Sequence, residues 1–484
     1  MASTYEKGSE ESGVTKQLCR WLETFTLDDV PEDVRLRAKY LILDGLACGI
    51  VGSHLPWTEK AASTFFEMEP TGTSIVWGYS DKKVSPLSAA LLNSTAVQSF
   101  ELDDWHLSAP LHSNSIILPA LFAAASHREV GQSVKTDGKT FLVSLIAGYE
   151  TGPRVGLGLH GAHMLTRGWH SGAVFGPSAS AASVSKLLQL PAGSIEDALG
   201  IACTQAGGLM SAQFGSEVKR MQHGFAARSG LLGALLAQKG YTGIKNVYEE
   251  KFGGFLIMFG QGSVKQPSYL PEEISKELGE TWQSRLIRVK DHASMAGTHC
   301  TVDCVRALQD KYPEKLSDLR AITSIKVDMT EAAFHHGGFD VKRPVAATGA
   351  QMSAAYTAAT QLVDGQVLPN EFRHDRLDRD IVWELVEKIK CFHARDLGED
   401  RYTQRVTITL NDGTVLSETL HAPRSVSPGL TNEEILEKWR RLTQGLIEEE
   451  RRDEIEKMVL DIENVDDVAV LNQLMAAHFL NPIA

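Results

Sequence analysis

The segment Ser171-Gly-Ala-Val-Phe-Gly-Pro-Ser-Ala-Ser-Ala-Ala-Ser-Val-Ser-Lys-Leu-Leu188 decides the fold of this chain. It predicts a long helix rich in Gly, Ala and Ser, and residues 224–239 predict a second helix of similar composition. Side chains this small let the backbones of neighbouring helices approach closely. We therefore interpret both segments as packing seams of a helical domain, and the 41 glycines of the chain as mainly architectural.

Helical patterns continue around these seams from about residue 14 to residue 275. Pro31 stands at a favourable helix start, with apolar residues recurring at helical spacing behind it. Ser85 precedes Pro86 as a helix N-cap, and residues 139–150 and 194–206 show the same periodicity.

The pattern changes near residue 284. Residues 284–290 and 322–328 alternate as strands do, and a helix is predicted over 298–310 between them. The segments 405–410 and 414–420 flank Asn-Asp-Gly, which predicts a β-hairpin. After Pro428 the pattern is helical again, with Thr431 or Asn432 capping a helix from Glu433 to Ile447.

These patterns predict a mainly α fold: a large all-helical domain interrupted by a smaller inserted α+β lid domain. The predicted ranges are 14–283 for the first part of the helical domain, 284–424 for the lid domain and 425–484 for the C-terminal return to the helical domain.

The composition narrows the possible partners. The chain is 43% hydrophobic and 23% charged, with a net charge of -13. Nucleic acids and anionic membranes attract basic faces, so we expect neither as a partner, although a few local cations can still bind a small anion. No run of about 18 apolar residues predicts a bilayer span. Residues 1–13 lack the features of secretory and mitochondrial signals, so the expected location is cytoplasmic.

The six cysteines are scattered, as in proteins of reducing compartments. Cys300 and Cys304 are spaced to share a helix face, next to His299, but no second pair of ligands lies near them in the sequence. We therefore expect buried free thiols and no metal site.

Three separate stretches, residues 101–114, 167–172 and 217–224, each place a basic side chain among small and polar residues. They contribute His112, His170 and Lys219. A cationic cluster that also carries protons suits a substrate with several carboxylates, so these residues are the predicted catalytic groups.

Acidic residues precede the first of these histidines. Glu101, Asp103 and Asp104 lie shortly before His106 and His112, and a carboxylate beside a histidine holds its tautomer and favours its protonated form. The ordinary alternative is a helix end whose acids face water.

The other two stretches also have ordinary explanations. His170 opens the small-residue helix, whose N-terminus favours anions, but it is equally placed to act as a cap. Lys219 and Arg220, followed by His223, form either an anion clamp or a surface turn.

Further histidines occur in the predicted lid domain. His292 and His299 precede and open its first helix, and the adjacent His335 and His336 can close over a ligand or lie in a solvated loop. No Gly-x-Ser-x-Gly or His-Glu-x-x-His pattern is present, which argues against serine hydrolases and zinc proteases.

The chain resembles the MmgE/PrpD family, which includes 2-methylcitrate dehydratases and cis-aconitate decarboxylases, and is most similar to its fungal cis-aconitate decarboxylases. The resemblance covers residues 14 to 475 and is carried by the following segments: Arg37–Gly45, Glu101–Asp104, Ala109–Ser113, Gly168–His170, Asp197–Ala206 and Lys219–Gly230.

The resemblance implies a helical domain, a smaller lid domain, a homodimer, and an active site between the domains that uses no metal or organic cofactor. It places the family's catalytic groups on His112, His170 and Lys219. The expected contacts to a tricarboxylate substrate are Glu101, Asp103, Asp104, Arg220, His223 and His292. The implied reaction is decarboxylation of cis-aconitate to itaconate, or of an alkylated aconitate.

Two positions depart from the family pattern. Met295 stands where some relatives carry a histidine, with His292 close by, and Trp105 stands where relatives carry a smaller residue or tyrosine. Both leave the substrate open, so a dehydratase of 2-methylcitrate or a related hydroxy tricarboxylate stays an alternative. A catalytically silent tricarboxylate-binding protein is the alternative of another class.

Overall fold

The computed structural model describes residues 13–126, 135–398 and 402–484. The chain forms two compact units. The first contains the chain up to Ser99, Asp103–Ile287 and Ile435–Leu480, and the second contains Phe100–Leu102, Arg288–Glu434 and Asn481–Ala484. The N-terminal segment on which the cytoplasmic expectation rests lies almost wholly outside the described residues.

Helices build most of the first unit. In chain order they are α1 (Val14–Thr24), α2 (Glu32–Gly52), α3 (Pro56–Met68), α4 (Pro86–Gln98), α5 (Ser113–Ser126), α6 (Gly138–Gly158), α7 (His163–Thr166), α8 (Ser171–Leu187), α9 (Ala192–Cys203), α10 (Gln222–Gln238) and α11 (Phe255–Gly260). The predictions of helices over 171–188 and 224–239 are confirmed by α8 and α10 to within about two residues.

The small-residue helix α8 lies at the centre of this unit. It is buried over nearly its whole length and packs against α5, α6, α9 and α10. A Cβ on Gly230 of α10 would collide with Ser180 of α8, so the two backbones approach as closely as the sequence predicts. The predicted packing seam is confirmed.

The second unit combines helices with a four-stranded sheet. Its helices are α12 (Ala296–Lys311), α13 (Glu331–Gly337), α14 (Ala347–Met352), α15 (Ala354–Asp364), α16 (His374–Leu377) and α17 (Asp380–Lys388). Along the whole described chain the strands are β1 (Ser74–Ile75), β2 (Lys83–Val84), β3 (Trp105–His106), β4 (Ile287–Arg288), β5 (Ile322–Met329), β6 (Ile389–His393), β7 (Gln404–Leu410) and β8 (Val415–Leu420).

The sheet has the order β6-β5-β7-β8. β5 and β6 are parallel, whereas β7 is antiparallel to both β5 and β8. The residues of β7 alternate between buried and half-buried, and α12 and α15 pack against strands of the sheet. The predicted hairpin is confirmed, with Gly413 at a φ of 85° in its turn.

The chain ends in α18 (Asn432–Thr443), α19 (Glu449–Leu460) and α20 (Ala469–Leu474). Within the first unit, Lys438 Nζ lies 2.5 Å from Asp44 Oδ1 of α2, and both side chains are fully buried. This ion pair fixes α18 against α2.

Two predicted element limits are wrong. Residues 284–290 do not form a strand over their length, because Glu150 accepts hydrogen bonds from the N–H groups of Gln283 and Ser284 and holds a 3₁₀ turn there. The helix predicted to reach Ile447 ends at Thr443, and Gly445 follows with a φ of 74°, which a helix cannot contain.

None of the helices in the described ranges combines the length and the apolar character needed to cross a membrane.

Candidate active site

The loop that carries His112 is fixed from both sides. On the N-terminal side of His112, the ring of His106 accepts a hydrogen bond from the backbone N–H of Ala109 at 3.0 Å, which closes a turn. On its C-terminal side, the carboxylate of Asp104 accepts hydrogen bonds from the N–H groups of Ser113 and Asn114, each at 2.9 Å. Asp104 therefore caps the first turn of α5, and His112 is held immediately in front of that helix.

Asp104 is fully buried. Burial, reinforced by the neighbouring Asp103, raises the pKa of the Asp104 carboxyl well above its usual range, although the two backbone N–H groups act in the opposite direction. Both oxygens of Asp104 are engaged within the protein, so the structure gives it a role in holding the His112 loop. Its contact with substrate stays a prediction.

Asp103 faces two imidazoles. Its Oδ2 lies 3.1 Å from Nδ1 of His112 and 3.9 Å from Nδ1 of His223. The carboxylate is 2% exposed, whereas the side chain of His112 is 23% exposed. Since Nδ1 of His112 faces the carboxylate, its Nε2 is the nitrogen left to exchange a proton with a ligand.

His223 lies on α10 between the other two histidines. Its ring centroid is 5.0 Å from that of His112 and 5.1 Å from that of His170. The ring is only 1% exposed, and a Cβ on Gly172 would collide with it. The first turn of α8 can therefore lie against His223 only because Gly172 has no side chain.

His170 is the N-cap residue of α8, and its side chain makes no capping hydrogen bond. Its backbone is held instead, because its N–H donates to the carbonyl of Gly208 at 3.2 Å. Next to it, Ser171 Oγ donates to the carbonyl of Pro110 in the His112 loop. The alternative in which the His170 ring serves as the cap is therefore not supported.

Lys219 and Arg220 lie on a 3₁₀ turn, Glu217–Met221, that leads directly into α10. Lys219 is half-buried. Arg220 is 2% exposed, and its guanidinium lies 5.6 Å from the ring centroid of Trp57. Three residues of continuous chain separate Lys219 from His223. Substrate contacts of Lys219 and Arg220 stay predictions.

Glu101 belongs to the second unit. It has a φ of 57°, a strained conformation for a residue other than glycine, and its Oε2 lies 3.2 Å from Nζ of Lys290. Both side chains are buried. Lys290 was not identifiable as the partner of Glu101, because it ends a segment that also carries Arg285 and Arg288.

His292, also in the second unit, is held in a charged network. Its Nε2 lies 2.9 Å from Asp303, and Asp291 completes a group of three potential metal ligands within 4.8 Å of one another. The guanidinium of Arg306 lies 3.0 Å from Asp291 and 3.4 Å from a ring nitrogen of His292. A positive side chain is thus already in contact with the ligand atoms, and we interpret the group as an ion-pair network.

Helix α12 and the residue before it carry three further residues that the sequence singled out. Cys300 and Cys304 are buried free thiols, as predicted, and each donates to a backbone carbonyl. Met295 precedes α12 as its N-cap residue.

In this helical protein, three imidazoles and a carboxylate lie close together beside a helix of small residues. Sequence models of two family domains match the chain, the MmgE/PrpD N-terminal domain over residues 16–267 and the MmgE/PrpD C-terminal domain over residues 292–464. The chain belongs to the MmgE/PrpD family.

Its similarity to individual proteins covers almost the whole chain. It is 47% identical to the cis-aconitate decarboxylase-like protein oryM of Aspergillus oryzae, over 98% of this chain and 99% of that protein. It is 43% identical to a cis-aconitate decarboxylase of Aspergillus terreus, over 98% of both. Identity to the cis-aconitate decarboxylase of Homo sapiens is 25%, over 96% of this chain and 94% of that protein.

Proposed function

We propose that this protein is a carboxy-lyase that converts cis-aconitate to itaconate. The observation that carries the proposal is the 43% identity, over 98% of both chains, to a protein named cis-aconitate decarboxylase. The contact of Asp103 with His112 supports it, because the reaction needs a positioned proton donor.

The chemistry requires few groups. Loss of carbon dioxide from the methylene arm of cis-aconitate leaves an electron pair that moves into the adjacent double bond. The resulting carbanion lies next to a carboxylate, which stabilises it, so no cofactor is needed as an electron sink. One proton added to that carbon gives itaconate, so the overall reaction consumes one proton and releases one carbon dioxide.

We assign the proton to His112 or His170 and the binding of substrate carboxylates to Lys219 and nearby cations. Asp103 orients His112 so that Nε2 faces away from the carboxylate, which is the arrangement that a general acid needs. A homodimer and a cytoplasmic location are part of the proposal, and they rest on the family resemblance and on the character of the N-terminal segment.

The test is incubation of the pure protein with cis-aconitate in deuterated water. We expect release of carbon dioxide and formation of itaconate that carries one deuterium on its saturated CH₂ carbon, the one bonded to a carboxylate. His112→Ala and His170→Ala should each lower turnover by ~10²–10⁴-fold if that residue is the acid. The exposed His374 of α16 provides the control, since His374→Ala should leave turnover unchanged. No carbon dioxide from cis-aconitate or any alkyl aconitate would contradict the proposal.

A second substrate follows from the 47% identity to a protein named only as decarboxylase-like. If an alkylated aconitate is the substrate, it should be turned over with a higher kcat/KM than cis-aconitate. A dehydratase would instead form new unsaturation from 2-methylcitrate without releasing gas. A silent binding protein would be stabilised against heat by aconitate and would turn over none of the three.

A further inference from the structure

Ser115 contacts two of the residues around the acid–base site at once. Its hydroxyl donates to the backbone carbonyl of His112 at 2.9 Å, and its oxygen lies 2.7 Å from Nδ1 of His223. Ser115 itself is fully buried in the first turn of α5. No sequence pattern pointed to this serine.

The hydroxyl has one proton, and this fixes the direction of both hydrogen bonds. A carbonyl can only accept, so the proton of Ser115 is given to His112. The oxygen of Ser115 must then accept from His223, which places a proton on Nδ1 of that ring. In its neutral form His223 therefore carries its lone pair on Nε2, the atom against the first turn of α8 at Gly172.

Two features of the surroundings disfavour a charge on His223, whereas the Asp103 carboxylate, 3.9 Å from Nδ1, acts in the opposite direction. The N-terminus of α8 is a region of positive potential, which disfavours a charged imidazole and suits a lone pair. The rings of His112 and His170 are each about 5 Å away by centroid, so a cationic His223 would repel the protonated form of either.

We propose that Ser115 is a positioning residue that holds the Nδ1–H group of His223 and so reserves the Asp103 carboxylate for His112. The distances of Oδ2, 3.1 Å to His112 and 3.9 Å to His223, already favour His112. Without Ser115, Nδ1 of His223 loses this hydrogen-bond acceptor. The His223 ring can then turn toward Asp103 and compete with His112 for that carboxylate. The inference rests on the proposed function, in which His112 handles the proton.

The first test is kinetic and uses Ser115→Ala and Ser115→Thr with cis-aconitate. Loss of one net hydrogen bond, about 1.4 kcal/mol, corresponds to a roughly tenfold fall in kcat. We expect KM to change less than about twofold, because the Ser115 side chain is fully buried. Ser115→Thr keeps the hydroxyl and should recover most of kcat. The control is Ser144→Ala, which removes a buried hydroxyl that donates to a helix carbonyl, at 2.7 Å, away from the histidines. Unchanged kcat in Ser115→Ala would overturn the proposal.

The second test reads the tautomer directly and does not depend on turnover. Protein labelled with ¹⁵N-histidine should show the protonated nitrogen of His223 at Nδ1 in long-range ¹H–¹⁵N correlation spectra, with the resonance assigned through His223→Gln. In Ser115→Ala this preference should be lost. A proton found on Nε2 alone in the wild type would overturn the inference, whereas a wild type that shows the Nδ1 proton but does not turn over cis-aconitate would contradict only the proposed function.

Discussion

Lowering the pH from about 7 to about 5 should weaken the fold in part through one buried side chain, that of His299. This histidine opens α12 and is fully buried. Its Nε2 lies 3.1 Å from the carbonyl of Ser294, so Nε2 carries the proton, and Nδ1 accepts from the hydroxyl of Ser425 at 3.2 Å. The neutral ring therefore makes a hydrogen bond at each nitrogen, and a second proton at Nδ1 would displace the hydrogen that Ser425 donates there.

Burial, together with the nearby His292 and Lys290, lowers the pKa of His299 to about 3. An unfolded histidine has a pKa of about 6.5, so below that pH the unfolded chain takes up a proton that the folded protein refuses. The free energy of unfolding then falls by about 1.4 kcal/mol per pH unit. The loss is ~2 kcal/mol at about pH 5 and reaches its limit of ~5 kcal/mol near pH 3.

The assay is urea unfolding at about pH 7 and about pH 5, followed by tryptophan fluorescence. Because other groups also titrate in this range, the informative quantity is the difference in pH dependence between the wild type and His299→Gln. We expect the wild type to lose ~2 kcal/mol more than the variant. His335→Gln is the control, since the His335 side chain is 65% exposed and should leave the pH dependence unchanged. An equal pH dependence in the wild type and in His299→Gln would refute the reasoning.

Three further substitutions test the buried carboxylates. Asp103→Asn removes the charge that orients His112 and should lower kcat by about 10²-fold or more without changing the melting temperature much, as steady-state kinetics and calorimetry would show. Asp104→Asn turns an amide N–H₂ toward a backbone N–H and should cost about 1–3 kcal/mol of stability, measured by urea unfolding. Lys438→Met leaves Asp44 buried without its partner and should cost about 3–5 kcal/mol, part of which Asp44→Asn in the same chain should recover.

Local patterns predicted those parts of the fold that local physics controls. The hairpin of β7 and β8 follows from alternation on both sides of Asn-Asp-Gly, and each half of that signal lies within a few residues. The helices α8 and α10 follow from long runs of small and apolar residues, although α8 contains Pro177. The strand over 284–290 failed because its N–H groups bond to Glu150, which is more than 130 residues away in the chain.

Some features of the candidate site were likewise predictable from local sequence, whereas others depend on the folding of the chain. His112 and His170 were identifiable because each interrupts small or apolar sequence beside a helix start. Asp104 was identifiable as an acid near His112, but its role as the cap of α5 depends on the turn that brings residue 104 back to residues 113 and 114.

The sequence by itself determined the helical architecture, the sheet-containing segment and the family. Only the tertiary structure decided which of two histidines faces Asp103 most closely and which serine directs the ring of His223. Ser115 and His223 are 108 residues apart, and they meet because α5 and α10 pack together in the first unit. Hydrogen bonds act over about 3 Å, so the pairing of these groups is set by the packing of helices that no local pattern specifies.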